Sequence, residues 1–173
     1  ERCYGIAEVT GSIPVRSTNR YFPEMKKIFY KIINPFRAAY WFIVRPKTTG
    51  VKCLIENNGK FLMIRNSYGH KQWTFPGGGV NGGELPERAA QREAHEEVGI
   101  ENYKPTPLGE YFSSRQYKQD TVYCFFGKVQ SDYFKIDNDE VSEAAWFIKT
   151  DMPELRSSAV NKVLNLYRLK FKL

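Results

Sequence analysis

Cysteine is scarce in this 173-residue chain, and the three present, Cys3, Cys53 and Cys124, show no metal-ligand spacing. Cys53 and Cys124 stand inside apolar, strand-like runs, so reduced thiols in a cytoplasmic protein are expected. Long hydrophobic runs are missing too. The longest apolar run, Ala38 to Val44, falls far short of the roughly 20 residues that a spanning helix needs, so no transmembrane helix is expected. There is no low-complexity tract and no internal repeat. Neither sign of charge is absent: 26 basic residues against 19 acidic ones give a net charge of +7. That balance suits anionic partners, whether phosphorylated small molecules, nucleic acid or an acidic membrane surface, without choosing among them. What is present is the make-up of a folded protein, 42% hydrophobic and 15% aromatic, at a length that fits one domain.

Residues 1–24 have no hydrophobic period and no signal-peptide core, and Met25-Lys26-Lys27 reads as a natural start. A freely chosen set of codons for Gly11 to Thr18 even resembles the T arm and acceptor end of a transfer RNA gene. The segment is therefore expected to be a non-native or disordered extension. From 25 to 47, apolar Ile28, Phe29, Ile32, Ile33, Phe36, Ala39 and Tyr40 recur at helical spacing among Lys27, Lys31 and Arg37, which predicts a basic amphipathic helical segment broken near Pro35. Such a segment packs most naturally on its own sheet or on a second copy in a homodimer; peripheral membrane contact is the less favoured use. The remainder, 48–173, forms the main domain.

Val51 to Glu56 and Phe61 to Arg65 are β-rich runs on either side of Asn57-Asn58-Gly59-Lys60, which predicts a hairpin. Gln72 to Phe75 forms a short strand, stopped by Pro76 before three glycines. Leu108 to Gln116, Thr121 to Val129 and Ala144 to Lys149 read as further strands, and Ser157 to Leu169 as a closing helix. The expected class is α/β, a mixed β-sheet flanked by helices.

One stretch carries chemistry. Five residues separate Gly78 from Glu84 and seven separate Glu84 from Arg92, after which the chain runs Arg92-Glu93-Ala94-His95-Glu96-Glu97-Val98-Gly99-Ile100. Pro86 suits a first helical turn and Gly99 a left-handed stop, so a helix of about three turns is predicted between them. On it Glu93, Glu96 and Glu97 stand at i, i+3 and i+4, bringing three carboxylates to one side. Like charges so close repel unless cations bridge them, and hard cations such as Mg²⁺ take oxygen ligands. A solvated acidic helix face is the bland reading, which the glycine loop and Arg92 argue against.

Gly78 to Ile100 resembles the Nudix signature at every fixed position, with Ala94 and Ile100 in its apolar slots. The resemblance implies a Nudix-like α/β/α sandwich and a pyrophosphohydrolase that cuts a diphosphate linkage in a nucleoside diphosphate derivative or a nucleoside triphosphate, with Mg²⁺ or Mn²⁺. It assigns Glu93, Glu96 and Glu97 to the metal cluster, with the Gly78 carbonyl as an extra ligand, and gives Glu84 and Arg92 the task of orienting that cluster. Glu93 is the first choice for general base, followed by a downstream carboxylate, Glu140 or Glu143. Arg65, Lys71, Arg115 and Lys118 are candidates for contact with a phosphorylated small-molecule substrate, and Tyr111, Phe112 and Tyr117 for stacking on a base, although surface charge and core packing explain such residues as well. The competing classes are a catalytically silent Nudix-fold nucleotide sensor or protein-binding module, and isomerisation of isoprenoid diphosphates. The retained glutamates and arginine count against the first, and the lack of a cysteine near the box counts against the second.

Overall fold

The computed structural model describes residues 15–16, 47–67, 71–113 and 119–173. The predicted amphipathic segment therefore lies outside the described residues except for Lys47, as does the N-terminal extension except for Val15 and Arg16. The elements are β1 (Val15–Arg16), β2 (Lys47–Asn57), β3 (Lys60–Asn66), β4 (Trp73–Thr74), α1 (Pro86–Val98), β5 (Thr106–Ser113), β6 (Gln119–Lys128), β7 (Val141–Ile148), a 3₁₀ turn (Lys149–Asp151) and α2 (Ser158–Phe171).

The strands form one sheet in the order β1-β7-β3-β2-β6-β5, with β4 paired to β3. Among the described strands β2 and β6 are the parallel pair, from Lys47 beside Gln119 to Glu56 beside Lys128, so the sheet is mixed. The predicted hairpin is present, with Glu56 opposite Phe61 and the chain turning at Asn58-Gly59. Strand β5 starts earlier than its apolar pattern suggests. Pro107 and Gly109 straddle a register shift against β6, and β5 is an edge strand, where a residue without an N–H is tolerated.

Both faces of the sheet are covered, which is why its central strands read as nearly continuous apolar runs. Val51, Cys53, Ile55, Leu62 and Ile64 meet Ala89, Ala90, Ala94 and Val98 of α1 in one core. Leu54, Phe61, Met63, Cys124 and Phe126 meet Val160 and Val163 of α2 in the other. The result is the α/β/α sandwich expected from the sequence. Burial pushes the Cys53 thiol up and the Cys124 thiol up to about 12, so both are inert protonated thiols.

The ends of the helices follow from their capping residues. Pro86 opens α1; Gly99, at φ 67°, closes it in the left-handed region and donates its N–H back to the His95 carbonyl. Ser157 caps α2 by accepting the Ala159 N–H. The alanines on α1 bring its backbone close to the sheet, and that approach carries Glu93 and Glu97 up to the glycine loop.

Candidate active site

The glycine loop is fastened along β2 as if it were a further strand. Cys53 donates its N–H to the Pro76 carbonyl, Val51 to the Gly78 carbonyl and Val80 to the Thr49 carbonyl, each at 2.9 Å. Such close approach leaves no room for side chains. A β-carbon at Gly77, whose φ is 135°, would overlap the Val51 carbonyl, and one at Gly78 would sit 2.6 Å from both Glu93 carboxylate oxygens. The Gly78 carbonyl keeps one lone pair beyond its bond to Val51.

Helix α1 presents its carboxylates unequally. Glu93 and Glu97 lie on the buried face with the alanines, whereas the Glu96 side chain is 56% exposed on the flank. Glu97 accepts the Gly77 N–H at 2.6 Å. Burial raises its pKa to about 7, against the lowering influence of Lys52 and of that hydrogen bond, and Glu93 and Glu140 raise it further. Burial also pushes Glu93 up, opposed by Arg92.

Arg92 ties these groups together. Its Nε donates to Glu84 Oε1 at 2.9 Å and its Nη2 to Glu84 Oε2 at 3.0 Å and to the Gly79 carbonyl at 2.8 Å. Its Nη1 donates to Glu93 Oε1 at 2.7 Å and to Glu96 Oε2 at 2.9 Å. These bonds engage all the N–H groups that a guanidinium possesses. Glu84 also accepts the Asn81 N–H, and Arg92 with that bond holds its carboxyl below the usual range. The residues of the signature are thus one hydrogen-bonded unit. Among the described residues no three His, Cys, Asp or Glu side chains are gathered closely enough to hold a metal in this conformation. Arg92 draws Glu93 and Glu96 toward itself, and Glu97 turns to Gly77.

Beside the loop opens a cleft of about 880 Å³, lined in part by Thr48, Lys52, Glu84, Tyr111, Asp120 and Tyr123. Thr48 donates to Asp120 across the parallel β2–β6 pair. Lys52 was not among the residues predicted from sequence, although a charge inside the apolar run Val51 to Ile55 is the signal that could have found it. Its Nζ donates to the Phe75 carbonyl at 2.8 Å and the Gly77 carbonyl at 3.0 Å.

The remaining candidates are scattered. Arg65 pairs with Glu143 at 3.3 Å and stands over the Trp73 ring at 5.0 Å, and neither it nor Glu143 lines the cleft. Glu140 is close enough to act electrostatically on Glu97. Tyr111 lines the cleft with Lys162 over its ring at 4.6 Å, while Phe112 is exposed. Lys71 is exposed beside β4. Arg115, Tyr117 and Lys118 lie outside the described residues.

Comparison with known proteins agrees with this geometry. A family model for the NUDIX domain matches residues 45–167. The RNA pyrophosphohydrolase of Tolumonas auensis is 46% identical over 64 residues, covering 37% of this chain and 35% of that protein. That of Cellvibrio japonicus is 47% identical over 47 residues, 27% of this chain and 28% of the relative. The matched region thus spans about a third of the length of these curated relatives. Among solved structures, the MutT protein from Methanosarcina mazei Go1 aligns at 27% identity and a TM-score of 0.64, covering 73% of this chain and 97% of that one. The MutT NUDIX hydrolase from Burkholderia pseudomallei also aligns at a TM-score of 0.64, with 24% identity, over 69% of this chain and 97% of its own, and at that identity it speaks to the fold. With a matching family model over most of its length and the complete signature joined around Arg92, the chain belongs to the Nudix family.

Proposed function

We propose that this protein hydrolyses a diphosphate linkage in a nucleoside diphosphate derivative or nucleoside triphosphate, with Mg²⁺ or Mn²⁺ held by Glu93, Glu96, Glu97 and the Gly78 carbonyl. The observation that carries the reading is the burial of Glu93 and Glu97 side by side against a loop in which a β-carbon at Gly78 would strike the Glu93 carboxylate. Carboxylates avoid apolar interiors unless something compensates their charge. Arg92 answers Glu93, but Glu97 has the Gly77 N–H and the nearby charge of Lys52, and its pKa remains raised. These hard oxygen donors fit a small divalent cation. When bound, the cation neutralises phosphate oxygens and acidifies water.

The protein's own groups supply the rest. Glu84 and Arg92 fix where Glu93 and Glu96 stand. Glu93 is the first candidate to accept a proton from water, and Glu140, which acts on Glu97, is a better second than Glu143, which is engaged with Arg65. The reduced, buried cysteines and the absence, among the described residues, of a helix long and apolar enough to cross a membrane are compatible with action in the cytoplasm.

The test is a panel of nucleotide sugars, ADP-ribose, dinucleoside polyphosphates, nucleoside triphosphates and capped RNA, incubated with Mg²⁺ or Mn²⁺. The curated relatives are named RNA pyrophosphohydrolases, which adds uncapped RNA to the panel. Intact protein is compared with Glu97→Gln, and at least one compound should be cleaved faster by the intact protein. If binding occurs without cleavage, the silent sensor takes the place of the hydrolase.

A further inference from the structure

The cleft beside the glycine loop presents an electrostatic difficulty for the substrate class proposed above. Its charged lining residues are Glu84, Asp120 and Lys52, and Glu93 and Glu97 stand behind the loop. A substrate bearing two or three phosphates must enter a place already rich in carboxylates, and Lys52 is the one cationic side chain among the described residues that line it.

Lys52 is placed by the fold rather than by the signature. On β2 its neighbours Val51 and Cys53 turn toward α1, and the alternation of a strand sends Lys52 to the opposite face, the face of Leu54. There its ammonium anchors on the Phe75 and Gly77 carbonyls, on either side of Pro76. An ammonium has three N–H donors, so one remains beyond these two bonds. The two carbonyls fix the position of the charge without cancelling it, and among the described residues no carboxylate is paired with it. Pre-placed cations of this kind bind phosphate without the entropy cost of ordering a free lysine.

We propose that Lys52 is a substrate-binding residue, donating its third N–H to a phosphate oxygen of the substrate while its other two hold the glycine loop in place. This inference rests on the hydrolase reading, and it extends that reading to a position outside the signature. It also assigns the cleft to the phosphate chain, with Tyr111 and Tyr123 in the same lining for whatever group the phosphates carry.

The test is calorimetric titration of the intact protein, Lys52→Met, Lys52→Arg and the exposed control Lys149→Met with inorganic tripolyphosphate in Mg²⁺, over a series of KCl concentrations. Thermal unfolding of each variant is followed in parallel. Lys52→Met should weaken binding about tenfold, the loss of one charge-assisted hydrogen bond, and should flatten the dependence of affinity on salt. Lys52→Arg should recover most of the affinity, and Lys149→Met should match the intact protein. A lysine that only clamps the loop would lower melting temperature and turnover while leaving the salt dependence unchanged, and that outcome overturns the proposal. Unaltered affinity in Lys52→Met overturns it as well, while cleavage in the substrate panel leaves the hydrolase reading standing. If the intact protein neither binds tripolyphosphate nor cleaves any member of the panel, both readings fall.

Discussion

Replacing Arg92 by Met should be the most damaging single change on the solvent side of α1, and the structure gives the size of the effect. The guanidinium is 27% exposed, and its three carboxylate partners differ sharply: the Glu93 side chain is 10% exposed, Glu84 17% and Glu96 56%. The Glu96 arm is an exposed i,i+4 pair and contributes only about 0.3–0.5 kcal/mol. The Glu84 arm is bidentate and fixes the plane of the guanidinium rather than adding much to stability. The Glu93 arm dominates, because its loss leaves a buried carboxylate unpaired. Breaking a fully buried pair costs about 3–5 kcal/mol, and the partial exposure of Arg92 brings this arm to about 2 kcal/mol. The expected total is about 2–3 kcal/mol, read as a lower urea midpoint at unchanged slope for metal-free protein at pH 7. Arg92→Lys should recover less than half, since an ammonium cannot span Glu84, Glu93, Glu96 and the Gly79 carbonyl together. A double-mutant cycle locates the effect: Arg92→Met should couple to Glu93→Gln by at least about 1 kcal/mol more than to Glu96→Gln. A loss below about 1 kcal/mol, or equal coupling to the two glutamates, would refute the assignment of Glu93 as the buried partner.

Metal-free stability should also depend on pH in the direction opposite to that of an ordinary salt-bridged carboxylate. The pKa of Glu97 rises from 4.5 in the unfolded chain to about 7 in the folded one, so the folded state binds the extra proton, and stability should fall as pH rises from about 4.5 to about 7 and level off above. The shift corresponds to about 3 kcal/mol; chemical denaturation in EDTA at pH 5 and pH 8 should show a clearly larger loss in intact protein than in Glu97→Gln, where the raised carboxyl of Glu93 still contributes in the same direction. Gly78→Ala should abolish turnover by at least tenfold, because its β-carbon would stand 2.6 Å from the Glu93 oxygens and displace that carboxylate, whereas Gly82→Ala, which meets nothing within 4 Å, should retain activity.

The parts of this molecule that sequence reasoning reached are those fixed by short-range geometry. Pro86 and Gly99 bound α1 because each satisfies a local backbone requirement, and Asn58-Gly59 turns the hairpin for the same reason. Helical spacing alone placed Glu93, Glu96 and Glu97 on one side. It could not say where the buried stripe is centred, and the alanines set that centre near Glu97, leaving Glu96 about 100° away around the helix. The cleft was beyond reach because it depends on the parallel pairing of β2 with β6, which joins Thr48 to Asp120. Lys52 was hidden likewise: its role arises only when the loop from Phe75 to Gly77 is laid along β2. Arg65 and Glu143 went the other way, looking available in the sequence and meeting each other across β3 and β7.

The two buried glutamates make the strongest physical argument for catalysis over mere binding. A nucleotide sensor gains nothing from carboxylates buried behind the loop that borders a phosphate cleft, since they repel the ligand and destabilise the folded state. Gln at 93 and 97 would preserve the shape of the helix and remove both penalties. The chain instead holds Glu93 with Arg92, holds Glu97 with the Gly77 N–H, and excludes β-carbons from Gly77 and Gly78 so that both carboxylates can approach the loop. Backbone, arginine and glycines are all committed to keeping negative charge where the apoprotein is least able to stabilise it. A fold that sustains such local frustration is explained if these carboxylates serve to hold a divalent cation: Glu93 and Glu97 would be among its ligands, and the cation would supply the positive charge that they and the substrate phosphates lack.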